Sequence, residues 1–278
     1  MPGEARARAP GRINLENMLR LPDALSDSYT EVRPARPGLL RLCAHVAGAS
    51  GLTGLRVLLV ADLLARVAEL GGVQALTVLV TGGEFAGQVP AVERAADALG
   101  IHPPAGRTGS CDPLATLGGP ADLHVVSRGA GPADGQSGVV TCVGDARMPG
   151  PSACGEPTAD LLAGNEPDPL AVRFALMSFP FHQAVDLTDS VLAAARETVG
   201  DWRRRVARWA EQPSRPIPAH LAETVRAALA DLDTPSAIAS LRDLVPDASV
   251  LAGAKFETFL YVDRILGLDL PREIGKLA

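Results

Sequence analysis

The side chains best suited to chemistry in this chain are sparse and unevenly placed. Its four cysteines, Cys43, Cys111, Cys142 and Cys154, include no C-x-x-C pair, so the spacing of a self-contained zinc ribbon is missing. The glycine-rich run Gly48–Gly54 stands just before a helical pattern, where backbone N–H groups can cradle a phosphate. It has neither the G-x-G-x-x-G spacing nor a lysine, and it reads equally as a turn that starts a helix. The only lysines are Lys255 and Lys276, so everything before them lacks an ammonium group. That excludes a P-loop lysine, a Schiff-base lysine or a lysine clamp on a triphosphate over this stretch. The segment Trp202–Arg203–Arg204–Arg205, with Arg208 and Trp209, joins ring faces that can stack on bases to guanidiniums that can reach phosphates. The same helical spacing also fits a helix with its tryptophans buried and its arginines solvated. No serine–histidine–acid set and no paired-carboxylate motif stands out.

These residues need a scaffold, and the hydrophobic pattern predicts one. Residues 1–37 read as an N-terminal arm rich in Pro and Arg, with at most a short helix over Leu15–Leu25. A strand is predicted at Leu39–His45, then a helix over Leu55–Leu70 stopped by Gly71–Gly72. A β-branched strand follows at Val73–Val80, and then a helix at Val89–Leu99. Strand, glycine-rich turn, helix, strand, helix is the pattern of a parallel α/β sheet. Residues 103–160 are loop-rich, with strands expected only at Ala121–Ser127 and Gly138–Val143. Beyond Pro167 helices are expected near 168–178, 188–211, 217–231, 235–244 and 248–267. Thr234–Pro235 reads as a cap followed by a first-turn proline, and Asp189 and Asp247 lie near other helix starts. The division is an arm (1–37), an α/β domain of Rossmann-like (HUP-type) parallel-sheet design (38–165) and an α-helical bundle (166–278).

Composition narrows the class. Of 278 residues, 47% are hydrophobic and 21% charged, which suits globular rather than disordered chain, and aromatics at 4% leave the core to Ala, Val and Leu. A net charge of −6 argues against non-specific nucleic-acid binding. No apolar run reaches the length of a membrane span, and the N-terminus has no apolar leader, so the expectation is a cytoplasmic protein with reduced cysteines and no membrane partner.

The order of short motifs from about residue 31 to 244 resembles the cysteinyl-tRNA synthetase family, a class I aminoacyl-tRNA synthetase family, together with the related mycothiol cysteine ligase. Leu40–Cys43 resembles the family's first strand and its zinc cysteine, and Ala61–Arg66 (ADLLAR) its following helix. Ala98–Pro104 (ALGIHPP) is similar to "ALxVxPP". Cys111, Leu117–Gly118 and Asp122–His124 fall where the family has its second zinc cysteine, "LG" and "DIH". Arg147–Met148 takes the place of the KMSKS loop. Asp168–Ser178 (DPLAVRFALMS) resembles "DPEALRYFLLS", Val185–Asp189 resembles "LDFSEE", and Asp231–Pro235 (DLDTP) resembles "DDLDTP". The resemblance implies a Rossmann-type catalytic domain followed by a helical bundle, with ATP and zinc as cofactors.

The departures fall on the chemistry. The HIGH segment is replaced by Gly51–Leu52–Thr53–Gly54–Leu55–Arg56, which has no histidine, and Gly150 stands for the second KMSKS lysine. Preorganised donors of that kind each contribute on the order of 10²–10³-fold to such a reaction. Of the family's zinc ligands, Cys43 and Cys111 match the thiolates. Past His124 the chain reads Val125–Val126–Ser127–Arg128–Gly129, leaving His45 or His124 to substitute, or leaving two unliganded apolar cysteines. The Cys111-to-Met148 spacing leaves little room for the catalytic insertion that the resemblance implies, and the expectation is a chain without the family's anticodon-reading domain. The expectation is a degenerate relative that supports a protein partner or binds an amino-acid or nucleotide ligand. Its nucleotide-side residues would be Gly54, Arg56, Arg147 and Met148, and its metal-side residues Cys43 and Cys111. Two alternatives are an active ATP-dependent aminoacyl ligase and a tRNA-binding module using Arg203, Arg204, Arg205 and Arg208.

Overall fold

A computed structural model describes residues 19–47, 49, 51–82, 89–109, 114–132, 137–148 and 168–276. Five parallel strands form the central sheet: β3 (Leu39–His45), β4 (Gln74–Val80), β5 (Gly106–Thr108), β6 (Leu123–Ser127) and β7 (Val139–Val143), in the order β5-β4-β3-β6-β7. The chain moves outward from β3 to β4 and β5, then returns to lay β6 on the other side of β3. The order therefore reverses between β3 and β6, the point where open α/β sheets bind ligands beyond the carboxyl ends of their strands. The sheet is Rossmann-like, and helices follow it.

Strands covered on both faces need apolar residues throughout. β3 and β6 meet this, with all but the first residue of β3 buried and all of β6 buried. The helix α1 (Gly51–Leu70) packs Leu55, Leu59 and Leu64 against the sheet. α2 (Val89–Ala98) and the short α3 (Leu114–Leu117) complete the α/β part. The helical part comprises α4 (Pro169–Met177), α5 (Asp189–Trp209), α6 (Ala219–Ala230), α7 (Thr234–Leu244) and α8 (Ala252–Leu266), then a 3₁₀ turn at Leu270–Glu273. Among the described residues no helix is long and apolar enough to cross a membrane.

Most expected elements appear within a few residues of their predicted bounds, but the N-terminal segment does not. No helix forms at the described end of Leu15–Leu25. Instead β1 (Arg20–Asp23) pairs antiparallel with β2 (Ser28–Glu31), and β1 lies against the edge of β7, with Ala24 N–H donating to Val140 O (2.7 Å) and Val140 N–H to Asp23 Oδ1 (3.2 Å). Leu19 and Leu21 are buried, so this part of the arm belongs to the body of the protein. Three short strands also escape the pattern: β5 at the sheet edge, and the parallel pair β8 (Ala146–Arg147) and β9 (Val185–Asp186). Helix starts shift as well. Asp233, not Thr234, caps α7 by accepting from Ser236 N–H, which leaves the Thr234 hydroxyl to donate to Met177 O. Asp247 organises a turn through Ser249, and α8 begins only at Ala252.

Two buried guanidiniums tie the parts together. Arg173 on α4 binds Asp62 on α1 (2.8 Å), Leu99 O beyond α2 and Leu266 O at the end of α8. Asp62 also accepts from Arg66 and from His102 N–H. Arg203 on α5 holds Asp168 (2.6 Å), Leu268 O and Asp269 O.

Candidate metal centre

Successive residues of a strand point to opposite faces, so Cys43 and His45 share one face of β3. His124 lies directly beside Cys43 on β6 and faces the same way. One ligating atom from each of the three lies within 4.8 Å of the others, and all three side chains are buried. Among the described residues no other group of three His, Cys, Asp or Glu donors converges in this way. The cluster sits on the two strands that flank the reversal of strand order.

The two imidazoles touch: His45 Nε2 is 2.9 Å from His124 Nδ1, and His124 Nε2 is 3.1 Å from Ser137 O. Burial, and secondarily the neighbouring His124, push the His45 pKa down to about 4. Burial also lowers that of His124, against the opposing pull of the Ser137 carbonyl. Both rings are therefore neutral near pH 7, the form that ligates metals. Burial alone raises the Cys43 thiol to about 12. A nearby divalent cation would invert that balance and favour the thiolate.

The donor set suits zinc. Zn–N bonds of about 2.0–2.1 Å in tetrahedral geometry separate two nitrogens by about 3.3 Å, so the imidazoles need to part only slightly. Soft sulfur with two imidazoles is a zinc-type set, and three protein ligands leave a position for a fourth group. Cys111, the other expected metal ligand, lies outside the described residues.

The nucleotide-side expectations fare differently. Thr53, in the first turn of α1, exchanges two hydrogen bonds with Ala146: its Oγ1 donates to Ala146 O (3.2 Å) and accepts from Ala146 N–H (3.1 Å). The segment standing for HIGH thus meets the residue just before Arg147–Met148, the segment standing for KMSKS. Gly54 has no room for a side chain, because a Cβ there would lie 2.8 Å from Ala49 O. Arg56 is buried, and its guanidinium donates to Gly144 O (3.0 Å), Gln183 O (2.5 Å) and Pro180 O (3.0 Å). Met148 packs half-buried against the core. Arg147 alone among the four presents a largely exposed side chain, 3.8 Å from Asp145.

The four arginines of the expected nucleic-acid face differ in exposure. Arg203 is buried and committed to Asp168 and two carbonyls, and Arg205 is paired with Asp201 (2.6 Å). Only Arg204 and Arg208 of the four are exposed. Trp202 packs edge-on between Phe174 and Phe259, and Trp209 packs on Phe259, so the rings build the bundle core. Sequence reasoning offers His45 and His124 only as substitutes. The C-A-H spacing at a strand end is the available clue to a shared face, but the neighbour relation of β3 and β6 is not visible in it.

No family model matches the chain. Over 75 residues, 27% of its length, it is 44% identical to an L-cysteine:1D-myo-inositol 2-amino-2-deoxy-alpha-D-glucopyranoside ligase of Streptomyces griseus, covering 17% of that protein. The ligase of the same name from Salinispora tropica is 38% identical over 80 residues, covering 28% of this chain and 19% of the relative. That from Cellulomonas flavigena is 38% identical over 73 residues, 26% of this chain and 17% of the relative. The matches therefore span less than a fifth of these curated proteins. Over about a quarter of this chain they support the likeness to cysteine ligases carried by the motifs.

Proposed function

We propose that this protein is a metal-dependent binding relative of the cysteine ligases and cysteinyl-tRNA synthetases that has lost adenylation and keeps a site for a thiol-bearing amino acid or a derivative of one. The observation that carries the reading is the buried trio Cys43, His45 and His124 at the reversal of strand order. Held there, zinc would supply an open coordination position for a substrate thiolate. The chain's own part is to offer two neutral imidazoles and one thiol from two adjacent rigid strands, in a setting dry enough to favour sulfur over water.

The loss of adenylation is supported from the other side of the site. The segment that replaces HIGH, Gly51–Arg56, contains no imidazole, and Arg56 is consumed by three carbonyls. With no lysine before Lys255, no ammonium stands ready for a triphosphate in this half of the chain. The test is zinc content together with pyrophosphate exchange on the purified protein. We expect one zinc per chain, lost in Cys43→Ser and His124→Ala, and no exchange with cysteine and ATP. Protein free of zinc after refolding with the metal would refute the binding role, and clear exchange would refute the loss of adenylation.

A second reading, an active ATP-dependent aminoacyl ligase, draws on one observation: Arg147 is exposed on β8, the strand that Thr53 bonds at the start of α1. Under that reading Arg147→Ala abolishes pyrophosphate exchange while zinc content stays constant.

A further inference from the structure

We infer that His124 is held to ligate through Nδ1, and His45 through Nε2, by the main-chain carbonyl of Ser137, whose position is set by Gly138. This rests on the metal reading above and adds to it which nitrogen of each ring does the work and which residue outside the ligand set enforces the choice.

A carbonyl can only accept, so the His124 nitrogen facing Ser137 O at 3.1 Å carries that ring's hydrogen. A neutral imidazole has one N–H, which leaves His124 Nδ1 with a bare lone pair, aimed at His45 Nε2 2.9 Å away. His45 then contributes the nitrogen nearest that lone pair, and its own hydrogen moves to Nδ1 when Nε2 ligates. Hydrogen bonds to the far nitrogen commonly fix the orientation of a ligating histidine and raise its basicity.

The carbonyl is where it is because of the next residue. Gly138 has φ +114°, a conformation that L side chains rarely adopt. A Cβ there would lie 2.6 Å from Ala121 O and 3.1 Å from Asp122 O. The chain passes this close to the start of β6 so that Val139 N–H can bond Asp122 O (3.0 Å) and β7 can begin. Any side chain at 138 must push the strand entry outward and take Ser137 O with it. Gly138 is not one of the three donors, so its role is that of a positioning residue. The Ser137 side chain takes no part in the contact, and the residue is exposed.

The experiment uses the whole chain labelled with ¹⁵N-histidine and loaded with zinc. Long-range ¹H–¹⁵N correlation identifies the protonated nitrogen of each ring. We expect Nε2–H on His124 and Nδ1–H on His45. His124 ligating through Nε2 overturns this inference while leaving the metal reading intact, whereas a chain that takes up no zinc overturns both. Competition with a chromophoric chelator should then show zinc affinity about 10–100-fold weaker in Gly138→Ala and unchanged in Ser137→Ala. A folded Gly138→Ala protein with unaltered affinity overturns the positioning role. If that variant fails to fold, the ring protonation pattern of the unmutated chain decides.

Discussion

Two buried polar clusters lie on either side of the start of α1, and they differ in one respect that matters. Around Asp62, in the second half of the helix, the carboxylate receives Arg173, Arg66 and the His102 backbone, and the remaining N–H groups of Arg173 go to carbonyls of α8 and of the turn after α2. Charge meets charge and the donors are spent. Around Cys43, His45 and His124, no ion pair is made among the described residues. The imidazoles bond each other and Ser137 O, and the Cys43 thiol beside them is free of any disulfide. A charge-matched cluster acts as a joint, while a neutral one made of metal-type donors is a candidate site. Burial by itself does not distinguish them, since Arg173 and Cys43 are both fully enclosed.

The sharpest way to break the joint is Arg173→Met. It strands the Asp62 carboxylate in the interior, and losing one partner of a buried pair costs about 3–5 kcal/mol. Urea unfolding measures it, and a loss within the error of the wild-type curve would mean that Arg66 alone satisfies Asp62. The site should respond to metal instead. At zinc a hundredfold above its Kd, adding a chelator should lower the unfolding free energy by about 2.7 kcal/mol. His45→Ala should be insensitive to the chelator, while Arg66→Met should keep the wild-type response.

The turn between the two clusters is tested by Gly54→Ala. Its new methyl meets Ala49 O, and overpacking of this kind costs about 1–3 kcal/mol. A Gly54→Ala variant as stable as wild type in urea would remove the steric reason for a glycine there. The smallest effects belong to the solvent face of α5: Arg204→Ala and Arg208→Ala should each stay within about 0.5 kcal/mol in thermal or urea unfolding. Arg203→Ala, one residue away, should lose several times more, because Asp168 and the turn at Leu268 lose their shared partner.

Much of the architecture can be read from the chain because it follows from local pattern. The continuous apolar runs of β3 and β4, the long apolar stretch of α1 stopped by Gly71–Gly72, and the five helices after residue 167 are set by periodicity and by residues that start or stop a helix. The hairpin Arg20–Glu31 is not legible there, because four-residue strands with mixed polarity carry no periodic signal and its place depends on the edge of β7. The arginines show the same boundary. Nothing local separates Arg203 from Arg204, or Arg56 from Arg147, yet one of each pair is a buried brace and the other faces water.

By itself the amino-acid order determined the run of strands and helices, the want of an ammonium group before Lys255, and the placing of Cys43 and His45 on one face, because these depend on residue type and on the two-residue repeat of a strand. Only the tertiary structure decided that His124, 79 positions further on, completes the trio, that Gly54 has no space for a side chain, and that Arg56 is spent on carbonyls. Those outcomes depend on which strand lies beside β3 and which backbone passes close to α1, and contacts between residues so far apart in the chain leave no mark on the local pattern around either.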